Sequence, residues 1–151
     1  MKNLMAIIAF AITLNAGASE CTEFGSDIAT AVENAEAKWQ KVKINAEAKN
    51  KKIKRTDAKL IRTELLNREL RKKSLSSYLK YVSRDYNGFK GKPVNGSIIG
   101  AVYTYECEND IIGDTHIVNL YSSLEQCAQS DGDDAFEKTK NCTSQQLANL
   151  E

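Results

Sequence analysis

Histidine, proline and tryptophan each occur once in the 151 residues. A single His, His116, leaves no His pair for a zinc centre, and the four cysteines contain no CxxC spacing for a metal or redox motif. A phosphate-binding loop and a dinucleotide fingerprint are both lacking. No cofactor and no metal is therefore expected. Gly and Pro are missing from residues 26–87, so that stretch lacks the strongest turn signals. Beyond residue 19 no apolar run approaches the ~20 residues that span a bilayer.

What is present begins with a leader. Met1-Lys2-Asn3 carries one positive charge, residues 4–14 form an eleven-residue apolar run, and Ala16 and Ala18 are small residues placed before a cut. That layout is a cleavable secretory signal, expected to be removed near Ala18. Ser19-Glu20 before Cys21 argues against a lipid anchor. The expected product is a single soluble domain of residues 19–151 in the periplasm or outside the cell. Four cysteines in an exported chain imply two disulfides. Cys107–Cys127 with Cys21–Cys142 is the favoured pairing, the first tying a strand to the helix after it and the second joining the two ends. Asn95-Gly96-Ser97 and Asn141-Cys142-Thr143 fit the N-glycosylation pattern and are read as chance matches.

The expected fold is α+β, with two to three N-terminal helices packed on a small antiparallel hairpin and short C-terminal helices. Residues 26–87 are rich in Ala, Lys, Glu, Leu and Arg, all good helix formers. Ser26 or Asp27 reads as the helix N-cap. Ile28, Val32, Ala35, Trp39, Val42 and Ala46 recur at helical spacing and form one apolar stripe. The stripe falters at Lys49, so a break is expected near residues 50–57, with Thr56 or Asp57 capping the next helix. A second break is expected near Ser74, and Gly88 should close the last helix as a C-terminal glycine. Residues 97–108 read as a strand, with Ile99, Ala101, Tyr103, Tyr105 and Cys107 on one face. Residues 115–121 read as its partner. Ser122 and Glu125 have the spacing of a capping box opening a further helix.

The charge is strongly segregated. Residues 19–37 carry five acids and no Lys or Arg, residues 38–92 carry eighteen cations against five acids, and residues 93–151 carry two cations against ten acids. The density peaks in residues 47–62, where seven Lys or Arg face only Glu47 and Asp57. One reading makes this a solvated helix surface, partly offset by the acidic C-terminal half and supported by Glu-first i,i+4 pairs such as Glu64/Arg68. The competing reading is a docking surface for an acidic protein partner, with Lys49, Lys51, Lys52, Lys54 and Arg55 as the candidate contacts. A membrane surface is disfavoured because no broad apolar face accompanies these charges. Nucleic acid is disfavoured because an exported chain meets little of it and because Tyr78, Tyr81 and Tyr86, near Lys80 and Arg84, have the helical spacing of core or rim residues.

No active site is evident. A catalytic His116 would need a Ser or a free Cys beside it. Asp131–Asp134, "DGDD", lack the calcium-loop spacing. Glu106 and Glu108 would share a strand face and could form a carboxylate pair, but nothing distinguishes an acid from a base. The expected function is therefore protein–protein binding, as an inhibitor, immunity or envelope accessory factor. Two other readings are a secreted carboxylate-dependent enzyme or toxin, and a self-associating envelope structural protein.

Overall fold

The computed structural model describes the backbone of residues 2–89, 94–128 and 134–150, with side chains from Glu20 onward. Six α-helices follow one another: α1 (Lys2–Ala48), α2 (Arg55–Lys72), α3 (Leu79–Asn87), α4 (Gly96–Glu108), α5 (Ile117–Leu124) and α6 (Ala135–Asn149). Short 3-10 turns at Ser76–Tyr78 and Glu125–Cys127 link the later ones. No strand occurs among the described residues.

The fold is therefore all-α, and the expected α+β architecture is corrected. The segment read as the first strand is α4, the central helix. Ile98 through Glu106 are buried without interruption. A helix covered on every side shows no apolar stripe, so its 3.6-residue period is invisible in the sequence. Its Ile, Val, Tyr and Thr residues imitate a strand because β-branched and aromatic side chains are strand formers. Asn95 accepts a hydrogen bond from Ile98 N–H at 3.0 Å and caps this helix. The segment read as the second strand enters α5 at Ile117. Ser122 and Glu125 lie at the end of α5 and in the following 3-10 turn, so the expected capping box starts no helix.

α1 and α4 run antiparallel at close range. Cys21 is disulfide-bonded to Cys107 with a Cα–Cα distance of 5.5 Å. One turn further along α1, a Cβ on Gly25 would meet Thr104 Oγ1 at 1.7 Å and Gly100 O at 2.4 Å. A further turn on, a Cβ on Gly100 would sit 2.7 Å from Ala29 Cβ. At the far end Ser97 Oγ donates to Glu33 Oε1 at 3.2 Å. Gly25, Ala29 and Gly100 let the two backbones approach, and Ile28, Val32, Ile99, Val102 and Tyr103 fill the core around the crossing.

The second disulfide joins Cys127 to Cys142 of α6, with a Cα–Cα distance of 5.4 Å. The favoured pairing is thus corrected on both bridges. It assumed that Cys107 lay on a strand leading toward Cys127. As the last turn of a helix packed on α1, Cys107 faces Cys21 instead.

The helix breaks fall at residues 49–54 and 73–75, with Asn50 and Ser74 at positive φ of 54° and 60°. Thr56 and Asp57 lie inside α2, whose N-cap residue is Lys54, and no side-chain cap bond is made there. Ser26 and Asp27 are interior to the continuous helix α1. Gly88 follows α3 at φ −79°, so it ends the helix without a left-handed turn. Its need for glycine is contact: a Cβ there would lie 2.3 Å from Val118 Cγ2. The sole proline, Pro93, and Asp131–Asp133 of the acidic run lie outside the described residues.

Candidate functional site

The core ends part-way along α1 and α2. Ile28, Ala31, Val32, Ala35 and Trp39 of α1 are buried, as are Leu66 and Leu70 of α2. From Gln40 to Leu65 no residue is buried. The remaining turns of α1, the 49–54 connection and the first turns of α2 therefore form a two-helix arm, which touches α3 through Arg62 and Thr63. Val42 and Ala46, the end of the predicted stripe, are half-buried against α2 rather than in the core. Residues 40–65 carry nine Lys or Arg and three acids.

The five candidate contacts all lie at the tip of this arm and all are exposed. Lys49, Lys51, Lys52 and Lys54 stand in the connection, and Arg55 opens α2. The turn encloses a cleft of about 410 Å³ lined by Trp39, Lys43, Ala46, Lys51, Lys52 and Ile53. The sequence stripe that buries Trp39 thus also floors a basic cleft. Ile44 and Leu60, exposed by 61% and 69%, are apolar side chains standing in water on the arm.

At the base of the arm the ion pairs are ordered. Lys38 and Lys72 both hydrogen-bond Glu69 Oε1, which is buried. Burial pushes the Glu69 carboxyl up, but the two ammonium partners together hold it below the ordinary range. Arg62 donates to Tyr86 O at 2.9 Å, lies over the Tyr86 ring at 4.4 Å from its centroid, and pairs with Glu36 at 3.9 Å. Burial, with the Glu36 charge adding to it, raises the Tyr86 phenol well above its usual value.

A second cleft, about 1340 Å³ and open along one side, runs between α2 and α3. Arg55, Lys59, Leu60 and Arg62 line one wall, Lys80 and Arg84 the other. Sequence reasoning placed the cationic surface only on the first basic run. Lys80 and Arg84 are distant in sequence, and only the α2–α3 packing brings them to the same groove.

The residues of the catalytic alternative do not assemble. Glu106 is buried and accepts from Thr115 N–H at 2.7 Å, whereas Glu108 is exposed. Two positions apart on a helix, they cannot share a face. His116 is the exposed N-cap residue of α5, beside a cleft of about 320 Å³ that Tyr105, Ile111, Asn119 and Leu147 also line. A buried polar knot lies instead between α3, α4 and the loop before α5. Tyr103 OH donates to Asp85 Oδ2 at 2.8 Å, and Arg84 Nε donates to Asp85 Oδ1 at 3.2 Å. The same guanidinium donates to Gly113 O at 2.9 Å and Thr115 O at 3.0 Å. Burial raises both the Asp85 and the Glu106 carboxyl; hydrogen bonds pull each back, and the Arg84 charge pulls Asp85 back as well. Each group is committed to holding the loop, so the knot is a structural lock. Among the described residues no group of three or more His, Cys, Asp or Glu could hold a metal ion. No described helix is long and apolar enough to cross a membrane.

No family model, curated protein or solved structure matches this chain. Its function must be read from the geometry alone.

Proposed function

We propose that this chain is exported, its first 18 residues removed, and that it binds an acidic protein partner through its cationic arm, as an inhibitor, immunity or envelope accessory factor would. The carrying observation is the arm itself. Nine cations against three acids stand on a segment without a buried residue, and among the described residues only Arg62 of the nine pairs with an acid outside the segment, Glu36 at 3.9 Å. Concentrated charge of one sign steers an opposite partner toward it. The two disulfides support export, because such bonds persist in oxidising compartments. A shape locked by two bridges also presents the arm without an ordering cost at binding.

The test is charge reversal at the tip. Glu in place of Lys49, Lys51, Lys52, Lys54 and Arg55 should weaken capture of the partner from envelope extract while the disulfides and helix content stay unchanged. Undiminished capture by that variant refutes the reading.

Self-association through the arm is a second reading, favoured by Ile44 and Leu60 in water. Sedimentation would reveal it as a mass that rises with concentration, and a constant monomer would dismiss it.

A further inference from the structure

We propose that the groove between α2 and α3 is the recognition site proper, and that its occupant is an acidic segment of the partner protein carrying an apolar residue among its carboxylates. This rests on the reading of an acidic partner and adds where that partner is read. The cleft at the tip of the arm is small, about 410 Å³, and has Glu47 among its cations. The groove instead sets cations on two facing walls around one open volume of about 1340 Å³. Clefts lined by one sign of charge focus the field between their walls.

The spacing suits a peptide. Arg55 and Lys59 stand one helical turn apart on α2, and Lys80 and Arg84 one turn apart on α3. Each wall therefore offers positive charges in a row. Two of the guanidinium groups are already fixed. Arg84 is tied to two loop carbonyls and Asp85, and Arg62 is held by Tyr86 O and paired with Glu36, so both brace the groove while Arg55, Lys59 and Lys80 are left to meet its occupant. Arg55, Lys59 and Lys80 are exposed, and no ion pair among the described residues engages them. Leu60 stands 69% exposed in the same lining and supplies the one large apolar contact.

The wall chemistry separates this occupant from other polyanions. None of the residues described as lining the groove is aromatic, so bases have no ring to stack on. One Leu is too little apolar face for a bilayer surface. Carboxylates flanking an apolar side chain match what the groove holds.

The probe is a fluorescein-labelled twelve-residue peptide of Glu and Asp with one central Leu, titrated with the full disulfide-bonded chain and followed by anisotropy. Lys59→Glu with Lys80→Glu should weaken binding at least about tenfold, as close charge contacts do when reversed. Reversal of Lys49, Lys51 and Lys52 should weaken it by no more than a few-fold. The Lys59→Gln and Lys80→Gln pair, which introduces no new charge, should fall between wild type and the reversed pair. Far-ultraviolet circular dichroism checks that each variant is folded. Equal or greater loss from the tip variant overturns the groove and leaves the acidic-partner reading standing. Failure of the wild-type chain to bind the peptide overturns both, whether or not duplex DNA or phosphatidylglycerol vesicles are bound.

Discussion

Gly25 and Thr104 leave no room between them: a methyl group added to Gly25 would lie 1.7 Å from Thr104 Oγ1. That hydroxyl is itself held by Gly100 O at 3.1 Å, and Gly100 in turn would place a Cβ 2.3 Å from Gly25 O. Backbone and a tethered hydroxyl cannot yield as a loose side chain can. Gly25→Ala and Gly100→Ala should each destabilise the chain by about 3 kcal/mol or more, at or beyond the upper end of ordinary overpacking. Gly88→Ala meets chiefly the side chain of Val118, 42% exposed and able to move, and should lose about 1 kcal/mol or less. Urea unfolding of the three variants measures this, and a Gly25→Ala chain as stable as wild type would refute the α1–α4 crossing.

The two disulfides differ in what they close. Cys21 and Cys107 are 86 residues apart, Cys127 and Cys142 only 15. On the chain-entropy model the long loop contributes about 4–5 kcal/mol and the short one about 3 kcal/mol. The Cys21→Ser, Cys107→Ser chain should therefore unfold at lower denaturant than the Cys127→Ser, Cys142→Ser chain. Non-reducing peptide mapping should recover these two pairs and no Cys107–Cys127 linkage.

Stability should depend on pH through the polar knot, with a defined sign. Asp85 and Glu106 have folded-state pKa values raised by burial, so between the ordinary carboxylate value and the raised one the folded chain holds more protons than the unfolded chain. Their contribution is greatest below the ordinary carboxylate pKa and is lost as pH rises through the folded value. Glu69 runs the opposite way, its stabilisation lost as pH falls through its lowered pKa. Denaturant melts across pH 4–7 should therefore show Asp85→Asn and Glu106→Gln losing less stability on the alkaline side than wild type. Glu69→Gln should instead reduce stability at neutral pH and have little effect in acid.

The sequence made part of this legible and concealed the rest for physical reasons. Ile28, Val32, Ala35 and Trp39 could be read as a core face because α1 is buried on one side only, which preserves the helical period. α4 could not, because Ile98 through Glu106 are buried on every side and no polar face marks the turn. Its one local signal was Asn95, an N-cap residue ahead of Gly96-Ser97, which also fits the glycosylation pattern. Misreading that helix carried the disulfide pairing with it. The basic run of residues 47–62 was visible as charge, and its exposure followed from the lack of apolar partners. The groove was not visible, since Arg55 and Lys59 meet Lys80 and Arg84 only through the packing of α2 on α3.

Capture from envelope extract on immobilised chain, eluted with a rising salt gradient, tests the central claim most directly. A partner held by the cationic arm should be acidic, should leave at moderate salt as its charges are screened, and should not be retained by the charge-reversed arm. A partner that stays bound through high salt, or that binds the reversed chain equally well, would contradict the account.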